Sequence, residues 1–327
     1  MIDQQQTRQR EMIWPALPLA EWWTTLDTLH MWLQVIGKIK LELVPFRNQW
    51  WNVTMHPTAR GLTTGVIPYY RRAFEIDLDL LDHTLRVSTN SGRMRTLALS
   101  PRTVAAFYAE LMAALAALGI QVTINPIPVE VPHTIPFDTN LVHRDYNPEY
   151  VTRWWRILLA TTTVLQQYDA HFTGKSSPPQ FFWGSFDLSH TRFSGRSAEP
   201  PEGAPRFIQL AENEENAACG FWPGNTSMSG LTLGEPAFYA YCYPQPDGYA
   251  TAQVRPDAAF FDEQFGEFIL RYEDVRRSHT PAQDILDFFE STYQIAAQHA
   301  GWDRARLEFD PSAATSSQLG HRKGHQT

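Results

Sequence analysis

Apolar residues along the chain fall into helix-like and strand-like rhythms, and the order of those rhythms repeats. In "LAEWWTTLDTLHMWLQVIG", Trp22, Leu26, Leu29 and Leu33 recur at three- and four-residue steps, the period of one helix face, and Gly37 marks the end of the run. Short strand-like runs follow: "IKLELVPF", "QWWNVTMH", "GLTTGVIPYY", "AFEIDLDLL", "TLRVST" and "RTLALS". "SPRTVAAFYAELMAALAALG" then reads as a helix with Ser100 as N-cap, Pro101 at the first position, where a missing N–H costs nothing, and Gly119 past the end. Pro126, Pro128, Pro132, Pro136 and Pro148 make the next stretch an extended connection, because a residue without a donor cannot sit in a central ladder.

Beyond that connection the plan starts again. "PEYVTRWWRILLATTTVLQQYDAHFTGK" reads as a helix ending in Gly174-Lys175, as the first ends in Gly37-Lys38. Strand-like runs follow, among them "PQFFWGSFDL", "AFYAYCYP" and "GEFILRYE", and then "TPAQDILDFFESTYQIAAQHAGW", a helix with Thr280 as N-cap, Pro281 first and Gly301 past the end. The repeat predicts an α+β protein of two pseudo-symmetric halves arising from internal duplication, at 12–125 and 146–309. Each would be a mainly antiparallel sheet with packed helices, and residues 126–145 would join them. The tail, 310–327, lacks apolar residues to bury and is expected to be disordered.

The echo pairs Gln49-Trp50-Trp51 with Gln180-Phe181-Phe182-Trp183. If the halves pack about a pseudo-two-fold axis, these segments face one another across a shared cleft with aromatic walls and few polar groups, the composition of small-molecule pockets. The predicted lining is Trp51, Phe182, Trp183, Phe221, Trp222 and Tyr239, with Gln49, Gln180 and Glu214 as polar groups. The competing reading of strand aromatics is plain core.

Composition narrows the partners. The 327 residues are 43% apolar, enough for a substantial core, and the formal charge of -8 comes with no basic stripe, so nucleic acid is not an expected partner. The N-terminal "MIDQQQTRQREMIW" has no apolar segment of a signal peptide, and no run approaches the length of a membrane span, so a cytoplasmic location is expected. Cys219 and Cys242 are too few for a disulfide scaffold and read as reduced, buried thiols. Phosphate-cradling glycine loops, the nucleophile elbow and Cys-x-x-Cys are all missing, so no cofactor is expected.

At "FFWGSFDLSHTRFSGR", "GFWPG" and "EFILRYEDVR" the chain resembles a bacterial family known as domain of unknown function 5996, and the likeness runs from "TLHMWLQVIGKIKL" to "AGWDRARLE". The family carries no established activity, so the resemblance implies no chemistry by itself. It does imply histidines before the aromatic pair of the first half, before "FFWG", and ahead of "GFWPG", a trio suited to a transition metal. Here those positions hold Gln49, Gln180 and Glu214. Loss of all three together points to a metal-free relative in which the amides bind a ligand by hydrogen bonds.

Several residues then compete for chemistry. A carboxylate of Glu214 carried into an apolar cleft would have a raised pKa suited to acid–base work, whereas Glu215 reads as a solvated loop residue. Asp187 and Arg192 could pair to hold a polar ligand, or form a structural bridge. His30 and Gln34 mirror Gln167 and His171 at i, i+4 spacing, so His30 and His171 could bind a metal from facing helices or be ordinary packed groups. His143 beside Asp145 could be an oriented base, although consecutive side chains diverge in extended chain. The sequence therefore predicts an enzyme for a small organic molecule with Glu214 as acid or base and no metal. The alternatives are a non-catalytic binding or scaffold protein using the same cleft, and a metal enzyme built on His30 and His171.

Overall fold

The computed structural model describes residues 10–132, 134–225 and 232–309. The 310–327 tail lies outside them. Helix α1 (Leu19–Leu43) precedes strands β1 (His56–Thr58), β2 (Gly61–Thr63), β3 (Ile67–Tyr69), β4 (Arg72–Asp79), β5 (Thr84–Thr89) and β6 (Met94–Ala98), and α2 (Val104–Ala117) follows. After the connection come α3 (Pro148–Asp169), β7 (Gln180–Phe182), β8 (Asp187–Ser197), α4 (Arg206–Ala211), β9 (Glu214–Trp222), β10 (Ala237–Tyr243), β11 (Phe260–Asp262), β12 (Glu267–Arg271), α5 (Tyr272–Arg277), α6 (Pro281–His299) and α7 (Arg304–Leu307).

The protein is α+β, with two antiparallel sheets of six strands in a pseudo-symmetric two-half layout. The first runs β1-β2-β4-β5-β6, with β3 beside β2 on the same edge of β4, and the second runs β7-β8-β9-β10-β12-β11. Each is entered from one long helix and left towards another, with β3 off the path of the first and β12 inserted between β10 and β11 in the second. The halves meet edge to edge: Met55 N–H donates to Phe181 O at 2.9 Å, and Phe181 N–H donates to Met55 O at 2.7 Å. The two echoed segments thus pair at Met55 and Phe181, and Gln49 and Gln180 share no hydrogen bond.

Helices α1 and α2 pack on the first sheet and α3 and α6 on the second, with α1 against α3. Amphipathic periodicity decides what each buries. Trp32 on α1 stacks between Phe107 of α2 at 4.7 Å and Tyr146 at 5.4 Å, and burial of each such aromatic contributes roughly 1.5–3 kcal/mol. Tyr168 of α3 meets Phe289 and Tyr293 of α6.

Several sequence expectations are corrected. Helix α1 does not stop at Gly37 but runs six residues further to Leu43, so "IKLEL" is helix rather than strand. Gly37 is a packing glycine: a Cβ there would fall 2.3 Å from the indole of Trp183. Helix α3 likewise ends at Asp169, before Gly174, and "QWW" forms a 3₁₀ turn at Asn48–Trp50 instead of a strand. Helix α2 is capped by Thr103, whose hydroxyl accepts from Ala106 N–H, rather than by Ser100. Its first donors, Val104 and Ala105 N–H, are taken by His143 O and Asn140 O of the connection, so Pro101 precedes the helix. Gly119 and Gly301 do close α2 and α6 in the left-handed conformation, at φ 76° and 62°.

Candidate functional site

Side chains alternate faces along a strand, and in the second sheet this splits a core from a cavity. On β8, Leu188, His190 and Arg192 turn towards the helices and are buried, while Asp187, Ser189, Thr191 and Phe193 line a cavity of about 930 Å³. Tyr239 and Tyr241 of β10 and Glu267 and Ile269 of β12 continue that face. Between them β9 carries Ala218 and Gly220, small enough to leave the floor open. The first half supplies a wall from Lys38 and Leu41 at the end of α1 and from Gln49–Trp51 and Val53, and α4 closes another side with Phe207 and Ile208. The proline-rich connection contributes Val129 and Glu130, because Gln34 of α1 grips Val129 at both ends, accepting from its N–H at 2.8 Å and donating to its O at 2.7 Å.

Asp187 sits at the turn that the "WGSFD" segment builds. Trp183 Nε1–H donates to Val53 O at 2.9 Å, Trp222 Nε1–H donates to Ser185 O at 3.0 Å, and Phe186 at φ 63° swings the chain into β8. The Asp187 carboxylate then accepts from the hydroxyls of Ser185 and Tyr239. Tyr239 can lie across β9 because residue 220 is glycine, where a Cβ would come within 2.7 Å of the Tyr239 oxygen. Gln49 and Trp50 at φ 49° and 61°, and Glu130 at φ 57°, are three more left-handed non-glycine residues on this cavity, each costing on the order of 1–3 kcal/mol; such strain concentrates at functional sites.

The electrostatics are those of carboxyls around a cavity, Asp187 buried and Glu212 and Glu267 half-buried, without ion-pair partners. Burial raises the pKa of Asp187, and its two hydroxyl donors offset part of that rise. Burial and then the charge of Asp187 push Glu130, which stays open to the cavity mouth, up to about 7. Burial, then Asp187 and Asp262, push Glu267 up to about 8. Glu212 is also raised by burial, with Asn216 Nδ2–H donating to it at 2.6 Å. None of these four carboxylates takes part in an ion pair among the described residues.

Of the residues singled out from sequence, Gln49, Trp51, Phe182, Trp183, Asp187, Trp222 and Tyr239 line this cavity, and Gln180, Arg192, Glu214 and Phe221 do not. Gln180 is buried behind it, its Oε1 accepting from Thr54 Oγ1 at 3.0 Å. Phe221 faces the helix side and packs on Phe238 and Tyr272. Glu214 is held by Lys175 Nζ at 2.5 Å, and the same ammonium donates to Gln49 Oε1 at 2.9 Å while lying 4.3 Å from the Phe193 ring centre. Asp187 and Arg192 do not pair: residues five apart on a strand point to opposite faces. Arg192 is buried over Tyr168, with its guanidinium carbon 3.3 Å from the ring centre, and Glu290 lies at 3.3 Å.

The remaining candidates separate too. Glu215 accepts from Ser194 at 2.9 Å and from Arg196 Nε–H at 2.8 Å. His143 Nδ1 turns to the Asn140 amide at 2.9 Å rather than to Asp145. His30 is buried, with Nε2 2.9 Å from Gly184 O and a pKa lowered by burial to about 4, whereas Gln167 is exposed on α3 and His171 is exposed just past its end, so the mirrored pairs do not form one site. Among the described residues, no three His, Cys, Asp or Glu side chains are grouped to hold a metal ion, and no helix is long and apolar enough to cross a membrane. Sequence reading missed Glu130, Lys38, Tyr241 and Glu267. Only the last two carried a usable signal, the period-two alternation of "AFYAYCY" and "GEFIL".

Fold and site together define a two-sheet α+β protein with an aromatic, carboxylate-bearing cavity on the face of one sheet opposite α3 and α6. The family of unknown function DUF5996 matches residues 14–309, most of the chain, and the protein belongs to that family. No curated protein and no solved structure gives a significant match.

Proposed function

We propose that the protein is an enzyme for a small organic molecule bound in this cavity, with Asp187 as its acid or base. The observation that carries the reading is the surroundings of Asp187, a buried carboxyl that faces the cavity, is held by two hydroxyl donors and has no cation beside it. Burial raises its pKa towards the range where proton transfer is efficient, and Tyr239 and Ser185 fix the direction of its oxygens. Aromatic walls from Trp51, Phe182, Trp183 and Trp222 suit a ligand with an apolar or aromatic body and strengthen the polar contacts inside. Glu214, the acid or base expected from sequence, fits the part less well, because Lys175 neutralises it outside the lining. Its place in the reading is to anchor Lys175 and, through it, Gln49, whose Nε2–H also donates to Asn213 Oδ1 at 2.7 Å.

The test is a thermal-shift screen of metabolite-sized compounds, followed by turnover of the hits in wild type and Asp187→Asn. The variant keeps shape and hydrogen-bonding capacity, so binding should persist while turnover falls by roughly 10²–10⁴-fold, the usual contribution of a general acid or base. Hits that bind without turnover in wild type would favour a binding protein. Turnover undiminished in Asp187→Asn would remove Asp187 from the chemistry.

A further inference from the structure

The chain uses lysine sparingly: of its 27 basic residues only Lys38, Lys40, Lys175 and Lys323 are lysines. Lys323 lies outside the described residues. Lys40 is buried and donates to Thr54 O, and Lys175 is neutralised by Glu214. Lys38 has neither arrangement. Its side chain is 6% exposed and lines the cavity, and it has no hydrogen-bond or ion-pair partner among the described residues. Because the stem is buried and the amine has only the cavity to face, the charged form is less well solvated there than in open water. Burial accordingly lowers the pKa of Lys38 below the ordinary lysine range.

The cavity offers the complement of such an amine. Lys38 stands one helical turn beyond Gln34, and the Gln34 grip on Val129 delivers the Glu130 carboxyl into the same cavity. Asp187 and Glu267 add carboxyls without a cation, and Trp51, Trp183 and Trp222 add ring faces that attract positive charge. A site built to receive a ready-made cation would have no use for a buried lysine, and a site built to receive an anion would not surround it with carboxyls. A cation created on the lysine itself satisfies both sets of groups.

We propose, building on the reading of the cavity as a small-molecule site, that Lys38 condenses with an aldehyde or ketone ligand to form an imine. The Nζ lone pair attacks the carbonyl carbon, and the C=O π pair moves to oxygen. One proton then passes from nitrogen to that oxygen to give the carbinolamine. A carboxylic acid of the wall, Glu130 or Asp187, protonates the hydroxyl, which leaves as water while the nitrogen lone pair forms C=N. The products are a protonated imine, one water and one carboxylate, so the new positive charge arises beside its counter-ion and no oxidant or reductant is consumed. The ligand class is a carbonyl compound with an apolar or aromatic body, and the imine makes the adjacent carbon acidic enough for a neighbouring carboxylate to deprotonate.

Reductive trapping tests this on the full chain. The protein is incubated with benzaldehyde or phenylpyruvate and cyanoborohydride, and the adducts are located by peptide mass spectrometry. The expected result is one saturable adduct at Lys38, with occupancy at least tenfold above that of Lys175 in the same sample, and loss of that adduct in Lys38→Arg. Comparison of Lys38 with Lys175 within wild type keeps the test decisive even if the variant folds poorly. Labelling confined to the N-terminal amine, or equal at Lys38 and Lys175, overturns the proposal. A carbonyl compound that stabilises the protein thermally yet leaves no Lys38 adduct sinks the imine while leaving the small-molecule site standing. If no compound of any class binds, both readings fall.

Discussion

Replacing Gly37 by alanine perturbs the contact between the two halves at one atom. In an open helix interior alanine is favoured over glycine by roughly 0.8–1 kcal/mol, so propensity alone predicts a more stable protein. Here the new methyl would lie 2.3 Å from Cδ2, Cε2 and Nε1 of Trp183. Carbon–carbon contacts settle near 3.5–4.0 Å, so the indole has to retreat by more than about 1 Å. Any retreat is towards the cavity it lines and pulls its Nε1–H away from Val53 O, now at 2.9 Å. Loss of that hydrogen bond costs about 1 kcal/mol, and overpacking adds about 1–3 kcal/mol. The balance is a destabilisation of about 1–3 kcal/mol, a fall in Tm of roughly 1–5 °C for a protein of this size. Thermal and urea unfolding followed by circular dichroism read it directly. In the double variant Gly37→Ala, Trp183→Leu, the second change should recover part of the loss, as a positive coupling in the mutant cycle. A Gly37→Ala protein as stable as wild type, or more so, would refute the claim that α1 stays continuous by accepting Trp183 against a bare backbone.

Two further variants separate the faces of the second sheet. Glu267, raised to about 8, is a carboxyl whose folded pKa exceeds its ordinary value near 4.5. Its stability contribution is therefore complete below pH 4.5 and is lost as pH rises to about 8, so Glu267→Gln should match wild type at pH 4.5 and exceed it by about 1–3 kcal/mol at pH 8.5 in urea titrations; an equal gap at both values would contradict the assignment. Arg192→Ala should cost about 3 kcal/mol through lost stacking on Tyr168 and an unpaired buried carbonyl, while ligand affinity in the folded protein changes less than twofold by calorimetry, because Arg192 faces the helices. Loss of binding at unchanged stability would restore the pairing of Arg192 with Asp187 across the cavity.

Strand alternation was the most informative sequence signal, and it went partly unread. In "DLSHTRF" the residues Asp187, Ser189, Thr191 and Phe193 form one set and Leu188, His190 and Arg192 the other, so period two alone argues against an Asp187–Arg192 pair. The repeated order of helix, strands and helix was legible, because caps such as Thr280-Pro281 and Gly301 are local chemistry. The function of Gly37 was not, since a glycine that ends a helix and one that admits an indole from 146 residues away look alike until the partner is known. Glu130 was hidden for the same reason: nothing in a proline-rich stretch shows that Gln34 will clamp its neighbour. Gln49 and Gln180, aligned by the echo, diverge because the halves join at Met55 and Phe181, six residues beyond the first glutamine and one beyond the second.

Proton chemistry at Asp187 is read most directly by the pH profile of kcat/KM for the first compound turned over. Wild type should show an ionisation above the usual carboxylate range. In Tyr239→Phe that ionisation should move to higher pH, because the lost hydroxyl had favoured the charged form, and in Asp187→Asn it should vanish with the rate. A profile that keeps the same ionisation in both variants would contradict the assignment of Asp187 as the acid or base of this cavity.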